Sequence, residues 1–362
     1  MSPFRLRSTA VLVAAALCAA GLGACGGPAG VTPLSVRGNL LVAGSDRFVA
    51  RGVADYVIPF YDGSDGTADP SLAKTTAQDF TDRAAMFAAM HRDGINVVRI
   101  PLSTTDYLHD AYDLGGPSGY VRRVVETVHA AQRAGLRVLL CWWDSLGWGP
   151  GLASRYRTLW PMAAAITAAV GNDPDVFYEP FNEPNGIDWS VWQRVVDATL
   201  IEWRTVLHYH GVLVLDTIGY SWSFSPPVAT AVRDFDASLL SGHPEVVFAN
   251  HRYPNGAKCF CGSQAKQFST SLNDWVQHFP VLGTEYGIYN SGYPPNTTWV
   301  SQLLQETRSL EPAGFNGSIL FVWNWVDPNS LTAGGQTLTA YGRVAEAVLW
   351  SQPAVGTSPT RH

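Results

Sequence analysis

The chain has 362 residues, of which 46% are hydrophobic and 15% are charged, and its formal net charge is −6. This composition supports a large buried core, and it lacks the excess of basic residues that binding to nucleic acid or to an anionic membrane surface requires. A single α/β barrel needs about 250 residues and often carries insertions, so one domain of that size fits the chain.

The first residues are typical of a bacterial secretion signal. Arg5 and Arg7 precede an apolar run, residues 9–20, that has the length of a signal peptide and is too short to span a bilayer. Leu22-Gly23-Ala24-Cys25 resembles the cleavage box of bacterial lipoproteins, in which the cysteine becomes the lipidated first residue. We expect a signal peptide over residues 1–24 and a flexible tether over residues 25–35; cleavage nearby without lipidation is the alternative.

This N-terminal signal predicts an extracellular or cell-surface protein. A single lipid anchor tethers a soluble domain without making it span the membrane. The only membrane contact that we expect is therefore the anchor at Cys25.

Three cysteines lie outside the signal and the lipidation motif. Cys259 and Cys261 are too close in sequence for an easily relaxed disulfide. Either of them could pair with Cys141, and the sequence leaves the connectivity open. No spacing resembles a zinc site, and we expect neither a metal nor an organic cofactor.

Beyond the tether, short apolar runs alternate with helical patterns. Weaker helical patterns occupy residues 274–278 and 340–350, and the stretch after the fifth run is interrupted by Pro226 and Pro227. The clearer helical segments are residues 75–92, 119–134, 160–170, 189–210 and 299–310. The eight apolar runs are residues 48–53, 95–102, 137–143, 176–181, 212–218, 246–253, 281–286 and 318–325.

Strands that alternate with helices pair in parallel through right-handed crossovers. Eight such units predict an α/β protein of the closed (β/α)8 TIM barrel type. We place this domain at residues 36–352, followed by a disordered tail at residues 353–362. A short N-terminal β-hairpin, residues 39–50, would cover the bottom of the barrel.

An open doubly wound sheet is the alternative architecture. Such a sheet carries a glycine-rich phosphate loop after its first strand. Residues 54–59, which follow the first predicted strand, contain no glycine, so the pattern favours the barrel.

Polar and aromatic residues occupy the ends of the predicted strands. Active sites of (β/α)8 barrels form at the C-terminal ends of the strands, so we expect these side chains to converge on one mouth. They are Arg99 on strand two, Asn182 and Glu183 on strand four, His251 and Tyr253 on strand six, Glu285 on strand seven and Trp323 on strand eight.

Glu183 and Glu285 form a pair of acids suited to one reaction. Cleavage of a glycosidic bond needs one carboxyl group to protonate the leaving oxygen and another to attack the anomeric carbon or activate water. We expect the positive charge of Arg99 to keep Glu285 ionised. Glu183, close to the other carboxylate, should remain protonated more easily.

These residues, in this order and at these strand ends, resemble glycoside hydrolase family 5, the cellulase family. The resemblance extends over residues 38–350. It implies a retaining enzyme in which Glu183 is the acid/base and Glu285 the nucleophile. The motif is carried by Arg99, Asn182-Glu183-Pro184, His251 with Tyr253, Glu285 and Trp323.

The same resemblance implies roles for the neighbouring side chains. Asn182 would bond the sugar 2-hydroxyl, and His251 would contact the acid/base. Arg99 and Tyr253 would support the nucleophile. Trp323 would form the platform under the reacting sugar.

The third predicted strand departs from the family pattern. Members commonly end this strand with an Asp-x-His motif, whereas Trp143 stands roughly where the histidine would be. Trp142 and Trp143 therefore become candidate substrate contacts, and a substrate other than plain cellulose is indicated. We interpret Glu179 as a structural partner of Arg99. Further candidates for sugar contact are Asp55, Tyr56, Asp144, Trp148 and Trp222.

The sequence thus predicts a monomeric glycoside hydrolase acting on β-glucan, β-mannan or a related glycoside by double displacement. Its partner would be an oligosaccharide or polysaccharide. One alternative is a related glycosidase of other specificity, such as a xylosidase or an arabinan-active enzyme. The other is a surface carbohydrate-binding protein that has lost catalysis.

Overall fold

A computed structural model of the chain describes residues 32–56, 58, 70–109, 114–143, 159–254, 259–289, 294–324, 329–335 and 337–351. The predicted signal peptide, the lipidation site at Cys25 and the predicted tail lie outside these residues, as do Asp144 and Trp148. Within the described part, no helix combines the length and apolar character needed to cross a bilayer.

A small antiparallel sheet precedes the barrel. The sequence predicted a hairpin here but assigned Leu34 and Ser35 to the tether, whereas they begin a strand. Leu34 and Leu41 belong to the same buried cluster as Val212 and Val247, which lie at the starts of barrel strands. The sheet therefore covers the bottom of the barrel, as expected. Its strands are β1 (Leu34–Arg37), β2 (Leu40–Ala43) and β3 (Asp46–Arg47).

Eight parallel strands close into one barrel, which confirms the predicted fold class. The last strand pairs with the first from Gly317 opposite Ala50 to Leu320 opposite Val53, and this pairing completes the ring. The barrel strands are β4 (Ala50–Ala54), β5 (Val97–Leu102), β6 (Arg137–Trp142), β7 (Val176–Glu179), β8 (Leu213–Leu215), β9 (Val246–Arg252), β10 (Val281–Tyr286) and β11 (Phe315–Leu320).

Helices lie between the strands along the chain and pack around the barrel. Two of them continue into short π-helical turns, Glu202–Val206 and Glu346–Trp350. The helices are α1 (Pro70–Arg92), α2 (Thr104–His109), α3 (Gly116–Arg133), α4 (Trp160–Val170), α5 (Trp189–Ile201), α6 (Ile218–Ser221), α7 (Pro226–Leu239), α8 (Gly262–His278), α9 (Thr297–Ser309) and α10 (Ala340–Ala345).

Two boundaries differ from the sequence prediction in an informative way. Pro226 and Pro227 begin α7 instead of interrupting it, because the first turn of a helix has no use for the missing N–H. The last barrel strand ends at Leu320, five residues before the predicted end at residue 325. That shift changes which aromatic residue stands at the mouth.

Side chains alternate between the barrel interior and the helix layer along each strand. On β5, Val97 belongs to the interior cluster and Val98 to the outer cluster. On β6, Leu139 lies inside and Leu140 outside. The alternation directs Arg99, two residues beyond Val97, into the interior near the mouth.

Gly94 allows the turn that leads from α1 into β5. Its φ is +88°, in the left-handed region that side-chain-bearing residues rarely adopt. A Cβ atom there would also collide with the carbonyl oxygen of Trp350. The turn fixes the entry of the strand that carries Arg99.

Candidate active site

The guanidinium of Arg99 lies at the centre of the barrel mouth and is fully buried. Its Nε donates to Glu179 Oε2 at 2.6 Å and its Nη1 to Glu285 Oε2 at 2.8 Å. Its Nη2 donates to Asn182 Oδ1 at 2.7 Å and lies 3.1 Å from Cys141 Sγ. One side chain thus contacts residues of three strands, β6, β7 and β10, and of the loop that follows β7.

Glu285 is oriented by an irregularity in β10. The pairing of β10 with β9 shifts register between Gly283 and Glu285, and such a bulge lets consecutive residues point to the same side. Thr284 and Glu285 consequently both reach the interior. Tyr253 donates its O–H to Glu285 Oε1 at 2.6 Å, so both carboxyl oxygens of Glu285 accept hydrogen bonds.

Glu183 adopts a left-handed backbone conformation with φ of 49°, which is unusual for a residue other than glycine. Asp216 Oδ2 accepts the N–H of Glu183 at 2.6 Å and stabilises this geometry. His251 Nδ1 lies 2.8 Å from Glu183 Oε1, and His251 Nε2 lies 2.8 Å from Thr284 Oγ1. The side chain of Glu183 remains 24% exposed to the mouth.

The two acids face each other across the mouth. Carboxyl oxygens of Glu183 and Glu285 and a ring nitrogen of His251 all lie within 4.8 Å of one another. The acids come from the ends of β7 and β10, which are three positions apart around the ring. The sequence expectation that these strands would bring the two groups to one opening therefore holds in the structure.

A second pair of acids, Glu179 and Asp216, lies beneath the first and is fully buried. Glu179 Oε1 and Asp216 Oδ1 have no ordinary hydrogen-bond partner among the described residues. Burial raises the pKa of Asp216 well above its usual range, and the neighbouring Glu179 raises it further. Asp216 therefore retains a proton more readily than an exposed aspartate and is placed to share it with Glu179, whose pKa is lowered mainly by Arg99 despite its burial.

Sequence analysis missed Asp216, although a signal for it exists. It directly follows β8 (Leu213–Leu215), at the C-terminal end of its strand, as Asn182 and Glu183 follow β7. Glu179 was interpreted as a partner of Arg99, and the structure places it in that position.

The pKa values of the two mouth acids are both raised, rather than shifted in opposite directions. Burial raises the pKa of Glu183 to about 7. Burial also raises the pKa of Glu285, although His251, Arg99 and the Tyr253 hydrogen bond oppose it. Arg99 lowers the pKa of Glu285, as its positive charge should, but desolvation outweighs this effect, so the net direction is upward.

His251 and Tyr253 are neutral partners of these acids near pH 7. Burial lowers the pKa of His251 to about 4. Burial and the charge of Glu285 raise the pKa of Tyr253 well above its usual range. Tyr253 therefore remains a hydrogen-bond donor to Glu285 near pH 7.

Trp143 stands at the mouth, as the sequence predicted. Its ring packs at 5.4 Å from those of Tyr56 and Phe321, and the Arg99 guanidinium lies 5.2 Å from its centroid. The prediction for Trp142 is wrong. Strand alternation turns Trp142 into the helix layer, where it is buried against Tyr178 and Trp203.

Trp323 is not the exposed platform that the sequence predicted. Its side chain is fully buried, and its ring packs 6.1 Å from that of Trp350. Because β11 ends at Leu320, the next residue, Phe321, occupies the mouth, with its ring 6.3 Å from that of Tyr253. Phe321 was missed because the predicted strand extended too far.

The remaining candidates are distributed around this centre. Asp55 and Tyr56 follow β4 and are buried, and Tyr56 belongs to the aromatic cluster of the mouth. Trp222 lies in a neighbouring cavity. Cys141 is a free, buried thiol, and burial raises its pKa, whereas the disulfide joins Cys259 to Cys261.

Two triads bring carboxylate and imidazole atoms within 4.8 Å of one another: Glu179, Asp216 and His251, and Glu183, His251 and Glu285. Arg99 already provides a cation to Glu179 and Glu285. A hydrogen-bonded guanidinium thus takes the position of a cation beside these acids and offsets part of their negative charge. The arrangement is suited instead to proton transfer by Glu183 beside a positioned carboxylate.

The family model of the cellulases, described as glycosyl hydrolase family 5, matches residues 64–327. No curated protein matches the chain.

Solved structures with a similar fold include several enzymes that act on polysaccharides. A β-glucanase from Saccharophagus degradans is 19% identical with a TM-score of 0.65, over 89% of this chain and 94% of its own. The catalytic domain of a mannanase from Streptomyces sp. SirexAA-E is 16% identical with a TM-score of 0.62, over 90% and 92%. The cellulase Cel5C_n is 15% identical with a TM-score of 0.66, over 91% and 95%. These similarities extend over most of each chain and show the shared fold.

We predict that the proton on Asp216 is needed for stability. Asp216→Ala removes the acceptor of the Glu183 N–H and leaves Glu179 with Arg99 as its remaining partner, so it should lower the free energy of unfolding by about 2–3 kcal/mol. Asp216→Asn offers an N–H₂ to Glu179 and an oxygen to the Glu183 N–H, so its loss should stay within about 1 kcal/mol. Urea unfolding followed by tryptophan fluorescence measures both changes.

The matched control is the exposed Asp234, whose replacement by alanine should change stability by no more than about 0.5 kcal/mol. If Asp216→Asn is as damaging as Asp216→Ala, Asp216 is ionised and the shared proton does not exist.

Proposed function

The chain belongs to glycosyl hydrolase family 5, the cellulase family, and from this membership we propose that it cleaves β-linked glucan or mannan with retention of anomeric configuration. Membership of the family makes the protein a glycoside hydrolase. The substrate class, the stereochemistry and the role of each side chain are the proposal.

The separation of the two mouth acids is the observation that carries the retaining mechanism. Retaining glycosidases hold their carboxyl groups about 5–5.5 Å apart, whereas inverting enzymes leave about 6.5–9.5 Å for a water molecule. Oxygens of Glu183 and Glu285 approach within 4.8 Å. That distance favours direct attack by a carboxylate over attack by water.

In the first step, a carboxylate oxygen of Glu285 attacks the anomeric carbon. Glu183 gives its proton to the glycosidic oxygen, so the C–O bond breaks and the leaving sugar departs as an alcohol. Tyr253 and Arg99 hold the two oxygens of Glu285 and orient the attacking group. The product of this step is a glycosyl ester of Glu285.

In the second step, Glu183 is a carboxylate and takes a proton from water. The resulting hydroxide attacks the anomeric carbon, and Glu285 leaves with the electrons of the ester bond. His251 lies 2.8 Å from Glu183 Oε1 and restrains the acid/base through both steps. Asn182 is held by Arg99 at 2.7 Å, and its amide N–H₂ is available for a sugar hydroxyl.

The proposed substrate class has two supports. The similar solved structures include a β-glucanase in complex with cellotetraose and mannanases. In addition, Tyr56, Trp143 and Phe321 form an aromatic cluster beside Arg99, and aromatic faces stack well on the apolar faces of sugar rings.

The proposal that the protein only binds carbohydrate is less consistent with the site. A binding protein has no use for a buried nucleophile held by two donors or for an acid whose pKa burial raises to about 7. Xylosidase or arabinan-active specificity is distinguished from glucan or mannan specificity by a panel of polysaccharides and aryl glycosides.

We predict that Glu285→Gln lowers kcat by about 10⁴-fold or more on any glycan that the wild type hydrolyses, because the amide cannot attack the anomeric carbon. The measurement is release of reducing sugar from β-glucan and β-mannan. Glu346→Gln, an exposed acid in the helix layer, is the control and should keep wild-type activity. Near-normal activity of Glu285→Gln would exclude this nucleophile.

Proton NMR of the first product formed by the wild type tests the stereochemistry in the same experiment. A β-linked substrate should give the β-anomer before mutarotation. Initial appearance of the α-anomer would refute double displacement even if Glu285 is essential.

We predict that kcat/KM on an unactivated glycan falls as the pH rises through about 7, the pKa of Glu183, because the acid must carry its proton. Activity should also fall at low pH, where Glu285 takes up a proton. A Glu183→Gln variant assayed on an aryl glycoside with a good leaving group should lose the alkaline limb, since that substrate does not need the acid. An unchanged alkaline limb would assign it to another group.

We also propose that the mature protein is anchored at the cell surface through Cys25, on the basis of the N-terminal sequence. Lipidation requires the thiol of this cysteine, so Cys25→Ser should move the enzyme from the membrane fraction to the medium or the soluble fraction. Cys18→Ser, inside the apolar run, is the control. Equal membrane retention of both variants would contradict the anchor.

A further inference from the structure

A second cavity, of about 520 Å³, opens beside the catalytic mouth. It lies between the ends of β8 and β9 and the helices α8 and α9, and it shares Tyr253 with the reacting centre. Besides Tyr253, its lining includes the guanidinium of Arg252 and the aromatic side chains of Trp222, Phe260, Phe268, Trp275 and Trp299.

Arg252 reaches this cavity because of strand alternation. On β9, Val247 and Ala249 belong to the barrel interior and Phe248 to the outer cluster. His251 continues the inward series toward the mouth, so Arg252 points outward. Its guanidinium carbon lies 4.8 Å from the ring centroid of Trp222 and 4.3 Å from that of Phe268.

The polar contacts of Arg252 are incomplete. Nη2 donates to the carbonyl of Trp222 at 3.3 Å. Nε is buried and has no hydrogen-bond partner, and no carboxylate pairs with Arg252 within the described ranges. Burial lowers the pKa of Arg252 to about 10, so the group still carries its charge near pH 7.

The three arginines of the described chain whose side chains are buried, unlike the partly exposed Arg252, each have a carboxylate partner. Arg51 pairs with Glu311 at 2.7 Å, and Arg204 pairs with Asp236 at 2.8 Å. Arg99 pairs with two glutamates. A largely desolvated cation without an anion is costly, and contact with aromatic faces offsets only part of that cost. The structure thus leaves a position for an anionic group at Arg252.

We propose that this cavity binds an acidic sugar, with its carboxylate on Arg252 and its ring against the aromatic walls. The proposal deepens the proposed function, because it assumes that the acidic unit belongs to the carbohydrate substrate, next to the reacting sugar. A guanidinium offers paired donors in the geometry of a carboxylate. Aromatic rings provide the flat apolar faces that a pyranose requires.

Three tryptophans in the cavity wall make binding measurable by fluorescence. The probes are methyl β-D-glucuronide, the neutral methyl β-D-glucoside and acetate, titrated against the full mature enzyme. We expect the wild type to bind the glucuronide at least tenfold more tightly than either of the other two. Similar affinity for the glucuronide and the glucoside overturns the proposal. Similar affinity for the glucuronide and acetate also overturns it, because the cavity would then bind a simple anion without recognising the sugar ring.

The Arg252→Gln variant should remove the preference for the glucuronide, and Arg252→Lys should retain part of it. Arg194→Gln, an exposed residue of α5, should bind like the wild type. If Arg252→Gln does not fold, the comparison of Arg252→Lys with the wild type decides the question: an undiminished preference in a folded lysine variant would contradict paired recognition by the guanidinium.

The assay separates this inference from the proposed function. Hydrolysis of neutral glucan and mannan by the wild type tests the enzyme, and binding of the glucuronide tests the cavity. Hydrolysis without preference for the glucuronide refutes the acidic subsite alone. Preference for the glucuronide without hydrolysis of either neutral glycan refutes the proposed substrate class and supports the subsite.

Discussion

The mouth of the barrel depends on one buried cation, Arg99. Its planar guanidinium presents donors in fixed directions, and these donors hold Glu179, Glu285 and Asn182 at 2.6–2.8 Å. Without Arg99, two buried carboxylates would face each other with no opposite charge, a state that costs several kcal/mol. Strand alternation alone brings the side chain into the interior, so the fold and the electrostatics of the site are linked at this residue.

A single positive charge cannot satisfy four nearby acids. Glu179 and Glu285 contact Arg99 directly, whereas Asp216 and Glu183 do not. The second pair therefore keeps its protons more readily: the pKa of Asp216 is raised well above its usual range and that of Glu183 to about 7, in both cases chiefly by burial. Asp216 is thus placed to share a proton with Glu179, and Glu183 is placed to give its proton to a substrate. The same shortage of positive charge, together with desolvation, explains why the pKa of Glu285 is raised despite its contact with Arg99.

The outer cavity contrasts with this centre. At the mouth, Arg99 contacts two carboxylates of its own chain, whereas Arg252 contacts aromatic faces and has no carboxylate partner in the described structure. The two sites lie on opposite sides of the same β9 wall, and Tyr253 belongs to both. A substrate that occupied both sites would place its reacting bond at Glu183 and Glu285 on one side of β9. On the other side, an anionic group of the same substrate would contact Arg252.

Particular residues show how far the sequence could be interpreted. The eight apolar runs gave the barrel, because a strand buried on both faces must be apolar along its length. Positions at strand ends gave Arg99, Asn182, Glu183, His251, Tyr253 and Glu285, all of which the structure brings to one mouth. Trp142 and Trp143 are neighbours of the same type, yet strand alternation places one in the helix layer and the other at the mouth. The sequence assigned the mouth position to Trp323, whereas the structure places Phe321 there. The reason is that the end of β11 cannot be located within a continuous apolar segment.

The sequence by itself determined the closed barrel and the family motif, because periodicity and strand-end chemistry are local properties that a linear pattern preserves. The tertiary structure decided the rest: the burial of Glu179 beside Asp216, the raised pKa of Glu285, the buried position of Trp323 and the aromatic surroundings of Arg252. Each of these depends on desolvation or on the distance between groups that are far apart in the chain. Neither quantity can be calculated from a local sequence pattern.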